Sequence, residues 1–196
     1  MKASFFKRVF AFIIDILILN SLVSLVTVFV PVDDNVTNLN NEIVSANEAY
    51  LAGEIDSNTY LDLIYSAEYD LQKETIPISI ISLVVSLLYF VVLPFYYRGM
   101  TLGKKLMKIK IVKSDGSKIE MNDLVVRSFI NNTIFISLVE LVLIFVIKTP
   151  KIMVTISVVL TYLQLIVLFI SFIMILFTNK KQGIHGIISK TDVVEV

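Results

Sequence analysis

From Val9 to Val30 the chain runs 22 residues with a single charge, Asp15. At about 1.5 Å per residue a helix of that length crosses a hydrocarbon core of about 30 Å. Three later stretches have the same character, at 76–97, 124–147 and 152–177. Pro31 ends the first. Pro77 falls in the first turn of the second, where proline is tolerated. Pro94 predicts a kink near its other end, and Phe95, Tyr96 and Tyr97 an aromatic belt at the interface. Polar residues recur at helical spacing inside the spans: Asn20, Ser24, Thr27; Ser79, Ser82, Ser86, Tyr89; Thr133, Ser137, Glu140; and Ser157, Thr161, Gln164, Ser171. Seams of small polar side chains mark helix–helix contacts, since Ser and Thr can also bond their own backbone.

Between the first two spans, 32–75 is hydrophilic but periodic. Leu39, Ile43, Ala46, Tyr50 and Leu51 repeat at helical spacing up to Gly53. Asp56 and Ser57 can cap a second helix burying Tyr60, Leu61, Ile64, Ala67 and Leu71. The pattern predicts a helical hairpin outside the membrane. Between the second and third spans, Leu102, Leu106 and Ile109 suit a surface-lying segment with lysines toward headgroups. The alternation from Lys108 to Lys113, the turn signal Asp115-Gly116 and the alternation over 118–121 predict a β-hairpin within 98–123. A two-stranded ribbon is marginal alone, so the tail from Thr191, with Val193 and Val194, is expected to pair with the 108–113 strand. The fold class is therefore all-α membrane: four transmembrane helices with an external helical hairpin and a small cytosolic β element, forming one membrane domain over 1–196.

Composition adds the solvent. Hydrophobic residues make up 56% and charged residues 17%, and mean hydropathy is +0.82, so the lipid bilayer is the expected surrounding. The net charge of zero gives no case for a nucleic-acid partner, and the absence of cysteine removes disulfides and thiolate chemistry. The first apolar run is too long for a signal-peptide core and is read as retained. Charge sets the topology. Lys2, Lys7, Arg8, the basic loop from Arg98 to Lys118, and Lys180, Lys181 and Lys190 share one side. The acidic segment lies on the other. Both termini are then cytosolic, in a bacterial inner membrane.

The candidate chemistry starts at Arg8 and Asp15. Seven residues apart, they share a helix face with about 10 Å of rise between them, so each needs a partner on another element. One reading is an ion or proton site, or a charged seam where a helix docks. The other is interhelical contact near the cytosolic mouth. Asp15 is expected to point into the bundle, toward Arg127 and Asn131 on the third span or toward the tail near His185. Glu140 is a candidate second carboxylate. His185, the one histidine, reads either as a functional group or as a polar cap at the membrane surface. The chain has no His-Glu-x-x-His, Gly-x-Ser-x-Gly or Gly-x-Gly-Asp motif, and Gly99 with Gly103-Lys104 is a poor phosphate loop. No enzyme, catalytic residue, cofactor or metal site is expected.

Four blocks in order resemble a known family. They are Arg8-x-x-Ala11-x-x-x-Asp15; the Gly99-x-Thr101-Leu102-Gly103-Lys104-Lys105-Leu106 loop; Arg127 opening the third span; and Gln182-x-x-His185 leading to Thr191-x-Val193-Val194. This pattern is similar to the RDD family of bacterial membrane proteins, named for one arginine and two aspartates. Arg8 and Asp15 match the arginine and first aspartate. The second aspartate usually follows the histidine, and here that position is Gly186. The resemblance implies a multi-pass protein with a role in transport of ions or small solutes, cations or protons foremost. Asp15 would be the exchangeable acid and Arg8 its electrostatic tuner. The alternative it carries is a non-transporting regulatory or assembly module, acting on a membrane protein partner or as a homo-oligomer.

Overall fold

The computed structural model describes residues 1–31, 34–131 and 134–196. Val32, Asp33, Asn132 and Thr133, which figure in the sequence reading, lie outside the described residues. Helix α1 spans Phe5–Thr27, starting earlier than the apolar run because the Ser4 hydroxyl accepts the Lys7 N–H at 3.4 Å. Helices α2 (Asp34–Leu51) and α3 (Ser57–Glu74) form the hairpin, α4 (Ile76–Tyr96) returns, and α5 (Leu102–Leu106) is short. Then come β1 (Ile109–Lys113), α6 (Met121–Asn131), α7 (Ile134–Val146), α8 (Pro150–Phe177), α9 (Ile184–Ile188) and β2 (Thr191–Glu195).

Helices α1, α4 and α8 are long and apolar enough to cross a membrane. The expected continuous helix over 124–147 is instead described as α6 and α7, bent by 71°, which make the fourth span if taken together. Asn131 ends α6 and Ile134 begins α7, and the two residues between them lie outside the described residues. Three of the sequence's four apolar runs are thus single helices of membrane length, and the fourth is met if α6 and α7 are one span.

The hairpin is built as its pattern dictates. Asp56 caps α3 by accepting the Thr59 N–H at 2.8 Å, and Gly53 adopts a left-handed φ of 74° in the turn. Ala46 and Ala67 are buried, Tyr50 stacks on Tyr60, and the Tyr60 hydroxyl donates to Asn47 Oδ1 at 2.8 Å. Leu51 and Leu61, expected inside, are exposed. Tyr69 anchors α3 to the bundle: it is buried with Ile144, Met153 and Val154, and its hydroxyl donates to the Ile147 carbonyl at 3.0 Å.

At the basic end of the bundle lies the sheet. Here the predicted β-hairpin within 98–123 is corrected. Strand β1 pairs antiparallel with β2, in the register Ile111 to Val193, while residues 118–120 form no strand. The Glu120 N–H is spent on Asp123 Oδ2 at 2.9 Å as the chain turns into α6, and Lys113 reaches Glu120 and Asp123 at 3.0 and 3.3 Å. The expected tail pairing is present. On the other edge of β2, Ala3 donates to the Val193 carbonyl and Glu195 to the Met1 carbonyl, each at 3.0 Å. Ala3, Ile109, Ile111, Leu124 and Val193 form a buried apolar cluster there.

Two parts of the chain repeat. Each of α4 and α8 is followed by a five-residue helix, a lysine at positive φ (Lys108 at 56°, Lys190 at 51°) and a five-residue strand. The offset between the copies is constant, so Lys104 corresponds to Gly186.

Candidate functional site: two cavities stacked through the bundle

Asp15 is 1% exposed and caged by donors. Its Oδ1 accepts the Tyr89 hydroxyl at 2.7 Å and the Gly103 N–H at 2.8 Å. Its Oδ2 accepts the Thr101 hydroxyl at 2.6 Å and lies 3.4 Å from the Lys104 ammonium. These partners belong to α4 and to the loop and helix α5, where Thr101 is the N-cap. A cage of four donors holds the charged carboxylate. Gly103 is required by close approach: a Cβ there would overlap the Ala11 carbonyl oxygen and come within 2.7 Å of Asp15 Oδ1. Tyr89 reaches Asp15 from a π-helical turn, Leu88–Val92, where the Phe90 carbonyl accepts the Ser128 hydroxyl at 3.1 Å. Such turns recur at functional positions because they re-aim side chains within a helix. Burial lowers the pKa of the Lys104 ammonium, and Asp15 opposes that shift.

Arg8 and Arg127 do not bond Asp15. Arg8 donates to the carbonyls of Ala3 at 3.1 Å, Lys181 at 2.7 Å and Val193 at 3.1 Å, tying α1 to both termini. Arg127, 8% exposed, donates to the Thr191 hydroxyl at 2.8 Å, itself 2.7 Å from the Ser189 hydroxyl. His185 is buried and its Nδ1 has no hydrogen-bond partner among the described residues. Burial lowers its pKa well below the usual imidazole range, and the cations Arg127, Lys104 and Arg8 add to that effect. The expectation that Asp15 faces the bundle interior holds. Asp15 is held by α4 and α5, while Arg127, one of its expected partners, bonds Thr191.

These groups share a cavity of about 70 Å³ at the basic end, lined by Arg8, Asp15, Lys104, Arg127, Asn131 and His185 against an apolar wall. A second cavity of about 590 Å³ lies toward the acidic end. It takes part of each polar seam: Asn20, Ser79, Ser82, Ser86, Ser137 and Ser157 line it, with Glu140 as its carboxylate, while Gln164 and Ser171 are used in contacts elsewhere. Ser157 Oγ is buried there without a hydrogen-bond partner among the described residues. The order along each span is the same. On α1 the inner cavity ends at Asp15 and the outer begins at Leu19; on α4 the outer ends at Ser86 and the inner takes Phe90; Asn131 and Ile134 divide them on the third span. About one helical turn separates the two on these three spans, whereas on α8 Ser157 and Phe172 stand fifteen residues apart. Asp15 and Glu140 thus face different cavities. Ser24 and Thr161, counted in the seams, are exposed on the outside. Among the described residues no group of three or more His, Asp or Glu could hold a metal.

Of the polar side chains lining the basic cavity, sequence reasoning singled out Arg8, Asp15, Arg127, Asn131 and His185, and left aside Ser128 and the charge of Lys104. It passed over Tyr89, Thr101, Gly103 and Lys104 as Asp15's cage. Thr101 ahead of Leu102-Gly103-Lys104 is an N-cap signal, but which carboxylate such a turn would meet is set only by packing.

The RDD family's sequence profile matches residues 2–190. The chain belongs to the RDD family. It is 28% identical over 151 residues to YxaI, an uncharacterised protein of Bacillus subtilis (strain 168), covering 76% of this chain and 78% of that one. It is 40% identical over 55 residues to YckC, an uncharacterised protein of the same organism, covering 28% of this chain and 36% of that one. No solved structure matches. The protein is thus an RDD-family multi-pass membrane protein, mostly helical, with a small two-stranded sheet.

Proposed function

We propose that this RDD protein moves ions or small solutes across a bacterial cell membrane, with cations or protons as the first candidates at Glu140. One observation carries the reading: polar side chains from all four spans, Asn20, Ser79, Ser82, Ser86, Ser137, Glu140 and Ser157, line one cavity, and the charged cavity of the basic end begins about one helical turn further on along three of those spans. A polar group inside a span is costly, so polar side chains gathered from every span support a wetted path more than a set of separate contacts. The reading puts the basic end, both termini and the sheet in the cytosol, and the acidic hairpin outside. It is a carrier, with no catalytic role. Its exchangeable group is Glu140, half-buried in the larger cavity, in place of the caged Asp15.

The test is flux in proteoliposomes, reported by a sodium- or proton-sensitive dye. Glu140→Gln is expected to reduce flux to the protein-free background while leaving the melting temperature within a degree or two of wild type, since Glu140 makes no ion pair among the described residues. Equal flux in both proteins would remove Glu140 from the path.

Topology is tested separately. Single cysteines at Asn41 and Asp56 are expected to react with an impermeant thiol reagent in intact cells, and one at Gly116 only after lysis. Labelling at Gly116 without lysis overturns the orientation.

A specific observation favours the second reading, a regulatory or assembly partner. Val44, Leu51, Leu61 and Leu63 leave apolar surface exposed on a hairpin outside the apolar spans. Absence of flux for any ion, together with cysteine cross-linking of two copies through Leu51, would support that reading.

A further inference from the structure

The basic cavity holds more positive than negative charge. Lys104 is matched by Asp15, and Asp192 is matched by Lys2 at 3.0 Å and accepts the Ser114 hydroxyl at 3.1 Å. Among the described residues neither Arg8 nor Arg127 has a carboxylate within ion-pair distance. Arg8 is compensated by three carbonyl dipoles. Arg127 has the Thr191 hydroxyl and only the longer-range field of Asp192, and a buried guanidinium with no anion in contact is costly.

The repeat shows where the counter-charge is missing. In the first copy, position 104 supplies the charge that pairs with Asp15. The corresponding position in the second copy is Gly186, and a Cβ there would stand 3.6 Å from an Arg127 terminal nitrogen. So the site that could answer Arg127 carries no side chain.

We propose that the basic cavity binds a small monocarboxylate, its carboxylate on Arg127 and its hydrocarbon end against Phe12, Phe172 and Ile175. The planar guanidinium fork matches a planar carboxylate in two parallel hydrogen bonds. One unmatched guanidinium calls for one negative charge. Most of the remaining lining is aromatic and aliphatic, which suits a short alkyl chain and offers nothing to a doubly charged, fully hydrated anion. The volume of about 70 Å³ limits the ligand to a few heavy atoms. His185, neutral and with Nδ1 unpartnered, adds a polar group beside the cations without adding charge. Binding of this kind stands whether or not the bundle passes a solute.

The experiment is equilibrium binding to the purified full chain in detergent, by calorimetry and thermal shift. The probes are sodium acetate, propionate and butyrate, with sodium chloride and inorganic phosphate at matched ionic strength. The wild type is expected to bind propionate and butyrate and to melt higher with them. Arg127→Gln is expected to weaken binding about tenfold or more, the range for losing a charge-assisted hydrogen bond. Gly186→Asp places a carboxylate beside Arg127 and is expected to abolish binding; the Thr191 carbonyl, 3.0 Å from the new Cβ, must give slightly. Preference for chloride or phosphate overturns the carboxylate assignment. Binding that survives in either variant overturns the site, and no response of the wild type to any probe overturns the proposal. Where neither variant folds, the wild-type series decides alone. Binding without flux leaves this proposal intact and counts against the transport reading only.

Discussion

Asp15→Asn is expected to melt far below wild type, losing about 3–5 kcal/mol, the range for removing one partner of a buried ion pair. The carboxylate accepts from Tyr89, Thr101, Gly103 and Lys104. An asparagine amide keeps one acceptor oxygen and turns N–H groups toward donors. The two hydroxyls can rotate away, but the Gly103 N–H and the Lys104 ammonium cannot, and Lys104 is left charged with its side chain 17% exposed. The cage makes Asp15 a structural group, whatever else it does. Thermal unfolding followed by size-exclusion in detergent measures it. The double variant Asp15→Asn, Lys104→Met is expected to recover part of the loss, because it removes the orphaned charge as well. If Asp15→Asn melts with wild type, the cage contributes nothing to holding α5 on α1.

Truncation after Lys190 is expected to cost more still and to prevent recovery of a monodisperse protein. It removes β2 and with it the ladder to β1, the bonds to Met1 and Ala3, the Val193 carbonyl that holds Arg8 and the Thr191 hydroxyl that holds Arg127. Ile109 and Ile111 then lose the cover of Val193. Val193→Ala, a milder change, is expected to cost about 2 kcal/mol from lost burial and the void it leaves. A truncated protein with wild-type melting would mean that the sheet is only laid against the bundle.

The spans were legible because a bilayer demands long apolar helices, and no other short-range signal competes with that pattern. The hairpin was legible for a similar reason: Gly53 and Asp56 are local stop and start signals that act on their own neighbours. The partner of β1 was half legible. Alternation over 108–113 announces a strand but not which strand it meets, and the turn signal at Asp115-Gly116 pointed to the nearer candidate. Glu120 and Asp123 instead use that segment to start α6, which leaves the tail as the available edge.

By itself the sequence determined the membrane class, the segregation of basic and acidic ends, the family pattern and the residues of interest, since each rests on local periodicity or composition. Only the tertiary structure decided which charges meet. Arg8 and Asp15 share a helix face, yet one is held by carbonyls from the termini and the other by α4 and α5. The two cavities and the place of Gly186 beside Arg127 were likewise settled by packing. The physical reason is that a buried charge takes whichever partner the fold brings within about 3 Å, and that choice depends on long-range packing that no spacing within one helix encodes.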